Sequence, residues 1–320
     1  MTRSILSVSD LSKPELHAIF ERIRELKPKI QNREAMRSLY GQIVGLYFEK
    51  PSTRTRSSFE VAAMRLSGQA VYLPSSELQS SRGEPTKDTA RVLGSYLDSI
   101  VSRVDSHDTV QQLADHSGVS VVNALSNLEH PTQIISDLFT ILETKNMLEG
   151  LNLAYIGDGN NVCNSLLLGA ALTGMNMTVA CPDGYEPNRK ILEKAREVAK
   201  EIGSKIQIIS DPKQAARSAD ILYTDTWVSM GQEKELAKRA EAFHGYQVDR
   251  ALLSLAKPSA VVMHCLPAHR GQEISDEVIE GNQSIVWEQA RNKLFSAAAI
   301  LEFLLATDTL ERETTSSEAK

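Results

Sequence analysis

The sequence predicts an α/β protein made of two doubly wound, parallel-sheet domains. Short apolar runs of strand length alternate with amphipathic stretches of helical period along most of the chain, the pattern of a parallel sheet covered on both faces. The series starts afresh after Met147-Leu148-Glu149-Gly150. The length of 320 residues, at roughly 150 per domain, also suits two domains. With 42% hydrophobic and 24% charged residues, the chain has the material for two ordinary cores.

The elements follow in order. Ser9-Asp10-Leu11-Ser12 opens a helix with Leu16, Phe20, Ile23 and Leu26 on one face, and Pro28 is expected to end it. Ile43–Phe48 reads as a buried strand, and a helix is expected from Thr53, with Phe59, Ala62, Ala63 and Leu66 facing inward. Ala70–Leu73 is a second strand and Ser75–Pro85 a polar loop; further strands fall near Ser99–Arg103 and Val119–Asn123. The second series has strands at Leu153–Ile156, Met177–Ala180, Ile206–Ile209, Asp220–Tyr223 and Ser259–Met263, with a helix through Leu166–Leu172. The expected domains are therefore 1–147 and 148–287, followed by a helix over about 288–307 and a disordered polar tail, 308–320.

Composition excludes several classes of function. Lys and Arg total 35 against 41 Asp and Glu, a net charge of −6, so no global basic surplus draws the chain to nucleic acid or an anionic membrane. The three cysteines, Cys163, Cys181 and Cys265, form neither a disulfide framework nor a zinc-binding CxxC pattern, which fits a reducing, cytoplasmic setting. The N-terminus lacks the apolar stretch of a signal peptide, and no run of 18 apolar residues is present to span a membrane. Partners are expected to be small molecules.

Five stretches carry chemistry. Ser52-Thr53-Arg54-Thr55-Arg56 packs three hydroxyls and two guanidiniums where a strand gives way to a helix. A helix start leaves amides free and its dipole favours an anion, so hydroxyls and an arginine there form a phosphate cradle. Gly157-Asp158-Gly159-Asn160-Asn161 is a strand-to-helix turn without the third glycine of a dinucleotide fingerprint, since position 162 is Val162. In His130-Pro131-Thr132-Gln133 an imidazole and an amide three residues apart can serve one carbonyl group. Asp225-Thr226-Trp227-Val228-Ser229-Met230-Gly231 and His264-Cys265-Leu266-Pro267 each follow a strand end, where ligands of open α/β sheets bind, so an acid and a thiol can meet there.

Taken together, STRTR, HPTQ, DTWVSMG and HCLP resemble the aspartate/ornithine carbamoyltransferase family, and the last two resemble its ornithine branch, because the aspartate branch lacks that pair. The resemblance runs from Ile5 to about Leu305. It implies a first domain for carbamoyl phosphate, a second for L-ornithine, and a C-terminal helix packing back on the first domain. On the carbamoyl phosphate side it implies Ser52, Thr53, Arg54, Thr55, Arg103, His130 and Gln133, with Gln79 reaching into the site of a neighbouring subunit of a homotrimer or a multiple of trimers. On the acceptor side it implies Asn161, Asp225, Ser229 and Met230, with Cys265 beside Asp225 and the Leu266 carbonyl facing the carbamoyl amide. Arg54, Arg103, His130 and Cys265 are the expected catalytic residues.

Near the C-terminus the family reads Glu-Asn-Arg, whereas this chain reads Arg291-Asn292-Lys293, which places Lys293 at the arginine's position. Two residues along a helix rotate a side chain by about 200°, so Arg291 is no substitute. The expected chemistry is attack of a neutral amine on the carbamoyl carbon, with positioning and electrostatic stabilisation and no metal, cofactor or side-chain nucleophile. The alternatives are a sister transferase for putrescine or N-acetylornithine, a cysteine-dependent hydrolase using Cys265 with His130 or His264, and a non-catalytic binding protein.

Overall fold

The computed structural model describes residues 2–228 and 233–317, without the side chains of Glu233 and 307–317. The elements of the first half are α1 (Lys13–Gln31), β1 (Ile43–Phe48), α2 (Thr53–Arg65), β2 (Gln69–Pro74), α3 (Thr86–Gly94), β3 (Ser99–Arg103), α4 (His107–Ser117), β4 (Ser120–Leu125) and α5 (Pro131–Lys145). There follow β5 (Asn152–Ile156), α6 (Asn161–Thr173), β6 (Asn176–Ala180), α7 (Arg189–Ile202), β7 (Ile206–Ile209), α8 (Pro212–Ala216), β8 (Ile221–Thr224), α9 (Leu236–Ala242), α10 (Arg250–Leu253), β9 (Val261–His264), α11 (Asp276–Ile279) and α12 (Val286–Ser317).

The chain divides into two units, Met1–Ser136 with Asn292–Lys320, and Asp137–Arg291. The division falls within α5, whereas the sequence reading put it after residue 147. The first unit holds a parallel sheet of order β2-β1-β3-β4 and the second a parallel sheet of order β7-β6-β5-β8-β9. In each, the chain works outward on one side, then returns to build on the other, which makes both sheets doubly wound. The strands are near-continuous apolar runs because both sheet faces are covered; Ile100, Val110, Leu113 and Val121 pack in the first unit and Ile156, Leu222, Val262 and Phe243 in the second. Gly94 allows α3 and α4 to meet, since a Cβ there would lie 1.7 Å from the Ser117 carbonyl oxygen.

Two expectations need correction. Pro28 does not end α1, which continues to Gln31. A proline loses its own N–H and crowds the carbonyl four residues back, but the turn beyond it is held by the bond from Asn32 N–H to the Pro28 carbonyl, 2.9 Å, and by burial of Ile30. The terminal helix is also longer than expected, because α12 runs unbroken through most of the segment read as a polar tail. From Asn292 onward it belongs to the first unit, where Arg22 and Ser38 both bond the Glu302 carboxylate and Lys27 donates to Asn292 Oδ1 at 3.0 Å. Among the described residues, no helix is long and apolar enough to cross a membrane.

Candidate active site

In the first unit the expected residues cluster at the carboxyl ends of three adjacent strands. Phe48 of β1 pairs with Arg103 of β3, and Arg103 with Leu125 of β4, so the loops after these strands emerge side by side. The strand order reverses between β1 and β3, the position at which open α/β sheets bind ligands. Ser52 caps α2 by accepting the Thr55 N–H at 3.2 Å, which leaves the amides of Thr53 and Arg54 to an incoming anion. Thr55 is buried and Arg54 half-buried. Arg56, the other guanidinium of the stretch, is committed elsewhere: it stacks 3.6 Å over the Tyr72 ring and pairs with Glu60 at 3.3 Å.

Arg103 closes β3 and is buried. His130 directly precedes α5, with its carbonyl accepting the Gln133 N–H at 3.0 Å and Thr132 Oγ1 at 3.4 Å from its Nδ1. Burial, reinforced by the charges of Lys293 and Arg103, holds the imidazole well below its ordinary value, so His130 is neutral at pH 7. Lys293 is buried on α12 and donates to Gln133 Oε1. Arg291, by contrast, is exposed and paired with Glu288 at 2.8 Å, so the helix register turns Lys293, not Arg291, toward the expected site residues. Gln79 lies exposed in a short 3-10 turn, Gln79–Arg82, within the polar loop.

The second unit repeats the arrangement with different chemistry. Ile156 of β5 pairs with Thr224 of β8, and Thr224 with His264 of β9, and the strand order reverses between β5 and β8. Asn160 caps α6, its Oδ1 accepting the N–H groups of Val162 and Cys163 at 3.0 and 3.1 Å. Its Nδ2 donates to Asp225 Oδ2 at 2.7 Å. Asp225, 5% exposed, also accepts the Cys265 thiol at 3.0 Å and the Thr226 N–H at 2.8 Å on Oδ1. Asn161, half-buried, opens α6 beside them. Ser229 and Met230, both expected to hold the acceptor, lie outside the described residues.

Two further groups fix these loops. Arg239 Nη1 donates at 2.8 Å to both the Asp158 carboxylate and the Trp227 carbonyl, joining the turn after β5 to the segment after β8. Burial pushes Asp158 up to about 6 against the pull of that guanidinium, with Asp225 and Glu235 adding to the rise. Gly159 has a packing role in this turn: a Cβ there would lie 2.2 Å from Pro187 N. Behind HCLP, Gln289 accepts the His264 N–H at 2.9 Å and donates to Asp137, which also accepts the Tyr223 hydroxyl at 2.7 Å.

Asp225, His264 and Cys265 offer ligand atoms within 4.8 Å of one another, the kind of set that can hold a metal ion. Both His264 ring nitrogens are already engaged, however, with the Leu266 N–H at 2.9 Å and with Glu273 Oε1 at 3.0 Å. A cation on His264 would have to displace one of these bonds. Cys163 and Cys181 are buried, and burial raises both thiols, Cys181 to about 12. Cys265 is the part-exposed one.

Sequence reading missed three contributors. Asn160 enters the sequence reading only as part of the Gly157–Asn161 turn, although an Asn just before a helix is a cap signal. Arg239 and Gln289 sit in unremarkable helical text, and their role exists only through contacts distant in sequence.

Comparisons with known proteins give the family. A family model described as the carbamoyl-P binding domain of aspartate/ornithine carbamoyltransferase matches residues 3–143, and the Asp/Orn binding domain matches 149–304. An ornithine carbamoyltransferase from Methanosarcina mazei is 52% identical over 301 residues, covering 94% of this chain and 98% of the relative. One from Archaeoglobus fulgidus is 49% identical over 306 residues, covering 96% and 98%. The solved ornithine carbamoyltransferase of Pyrococcus furiosus superposes with a TM-score of 0.92 at 42% identity, covering 95% of this chain and 97% of that one. With both domains matched across most of its length, the chain belongs to the aspartate/ornithine carbamoyltransferase family.

Proposed function

We propose that the chain is an enzyme that transfers the carbamoyl group of carbamoyl phosphate to the δ-amine of L-ornithine, giving L-citrulline and phosphate. One observation carries the choice of acceptor: the 3.0 Å contact between Cys265 and Asp225 joins DTWVSMG to HCLP, the two stretches that mark the ornithine branch. A buried carboxylate already held by Asn160, Cys265 and a backbone amide is suited to grip the α-ammonium of an amino acid, with Asn161, Ser229 and Met230 as its companions.

In this reading Ser52, Thr53, Arg54 and Thr55 bind the phosphate, and Arg103, His130, Gln133 and Lys293 bind the rest of carbamoyl phosphate, with Cys265 and the Leu266 carbonyl on its amide. Attack by the δ-amine places negative charge on the carbamoyl oxygen. Arg54, Thr55, Arg103 and neutral His130 are donors for that charge, and their fixed orientation supplies the stabilisation. Lys293 donates to the amide oxygen of Gln133, which directs the Gln133 NH2 group away from itself. Phosphate leaves into the cationic helix start and is itself basic enough to accept the amine proton. Substrate and product put the reaction in arginine metabolism, the arginine-biosynthetic sense being the one written here, and three cysteines outside any disulfide suit the cytoplasm.

The family resemblance supports a homotrimer in which the loop carrying the exposed Gln79 completes a neighbour's site. Mixing inactive Arg54→Ala chains with inactive Gln79→Ala chains restores activity in that arrangement, and no rescue after verified subunit exchange excludes it. The function itself is tested by a citrulline assay with carbamoyl phosphate and a panel of amines. Ornithine is the expected acceptor; preference for putrescine or N-acetylornithine would replace this reading with that of a sister enzyme.

A further inference from the structure

We infer that His264 is a positioning residue, held in one tautomer by Glu273 so that its Nδ1 fixes the backbone of Leu266 and, with it, the placement of Cys265. The inference rests on the roles proposed above for Cys265 and Leu266.

The hydrogen bonds determine the tautomer. A backbone N–H can only donate, and Leu266 N–H points at His264 Nδ1 from 2.9 Å, so Nδ1 carries no proton. The ring proton is then on Nε2, which faces Glu273 Oε1 at 3.0 Å. Glu273 is fully buried, and the same oxygen accepts the His269 N–H at 2.6 Å, which fixes the carboxylate in turn. The main chain of His264 is tied as well, through its N–H to Gln289 Oε1.

Leu266 needs such a restraint. Its φ of 60° lies in the left-handed region, which a leucine seldom adopts unless its surroundings impose it. The Nδ1 bond supplies an acceptor for the one backbone donor on that residue. Cys265 stands between two residues fixed in this way, and its thiol meets Asp225 Oδ1. The histidine of HCLP therefore acts through its neighbours and neither attacks nor transfers a proton.

Two substitutions separate this role from simple packing. Asparagine places an oxygen near the position of Nδ1, whereas glutamine places its amide near Nε2. His264→Asn is expected to keep kcat within about tenfold of wild type, while His264→Gln and His264→Ala lose about a hundredfold or more. KM for carbamoyl phosphate should change less than kcat in all three. Equal losses in Asn and Gln variants that remain folded would overturn the assignment.

The second measurement needs no variant to be active. Nitrogen NMR of the substrate-free, histidine-labelled wild type, with His264→Asn identifying the signals, is expected to show a neutral His264 protonated on Nε2. A proton on Nδ1, or on both nitrogens, would overturn the inference whatever the enzyme's substrate. Failure of the citrulline assay with the tautomer intact would instead count against the proposed function.

Discussion

The two units hold their candidate residues in different ways. In the first, the phosphate turn is one contiguous stretch: Ser52, Thr53, Arg54 and Thr55 are delivered together because β1 ends and α2 begins there. In the second, Asp225 is positioned by Asn160, 65 residues earlier, and by Cys265, 40 residues later. An anion can be bound by helix geometry alone, since free amides and the dipole are properties of any helix start. A zwitterionic amino acid requires a carboxylate, donors and a shaped pocket that no single turn supplies. The first half-site is local and the second is assembled.

That contrast predicts unequal responses to substitution. The largest effect is expected from the local turn: Arg54→Ala should lower kcat/KM for carbamoyl phosphate by about a hundredfold or more, the loss of charge-assisted bonds to a dianion. A steady-state loss of about tenfold or less would break the phosphate assignment.

The assembled side should fail through stability as well as through contact. Arg239→Ala leaves Asp158 without its guanidinium and removes the Trp227 carbonyl bond, an expected cost of about 3–5 kcal/mol for breaking a buried pair. Denaturant unfolding measures that cost, and the ornithine KM should rise more than the carbamoyl phosphate KM. Cys265→Ser should mainly raise the ornithine KM, by about tenfold, and leave turnover measurable. Mass spectrometry of enzyme mixed with carbamoyl phosphate alone should find no adduct on Cys265; an adduct would point to the hydrolase-like chemistry instead.

Lys293→Arg has the smallest expected effect on rate. Lys293→Arg restores the planar fork at a buried position and should alter kcat/KM upward by no more than about tenfold. Lys293→Ala should be damaging and Arg291→Ala nearly silent, as their burial and exposure dictate. The reverse pattern would show the helix register to be misassigned.

The pH profile sharpens the same comparison. Because burial keeps His130 neutral, its donor persists across neutral pH, and kcat/KM for ornithine should climb with pH toward the δ-amine value, near 10 like that of lysine. A rate-limiting inflection near 6.5 that vanishes in His130→Gln would contradict this. For stability the sign is fixed by the lowered folded value: below about 6.5 the unfolded chain takes up a proton that native His130 does not, so acidification destabilises. Asp158 opposes it, since its folded value of about 6 lies above the ordinary 3.8 and favours the native state as pH falls through that window. Thermal melts of His130→Gln and Asp158→Asn separate the two.

Legibility in the sequence followed the same division. Ile43–Phe48 was read to the residue because a strand covered on both faces is a near-continuous apolar run; Ser99–Arg103 and Ile206–Ile209 were read to the same bounds around shorter apolar segments. The Ser52-capped helix start proposed to bind phosphate was legible because its residue types and its backbone geometry sit in one stretch. Asn160, Arg239, Gln289 and the His264–Glu273 pair were not, because each acts across a distance that only folding closes. Pro28 misled for a local reason: the cost of a proline falls on the turn before it, and the last turn keeps its own backbone bond and the burial of Ile30.

The central claim is that each unit carries the main anchor for one substrate at its own strand ends, the Ser52–Thr55 turn for the phosphate and Asp225 for the amino acid, and calorimetric titration of carbamoyl phosphate tests it most directly. Into Asp225→Ala, carbamoyl phosphate should bind within about threefold of its wild-type affinity, whereas into Arg54→Ala it should bind about a hundredfold more weakly or not measurably. Comparable loss in both variants, with both folded, would contradict the division of labour.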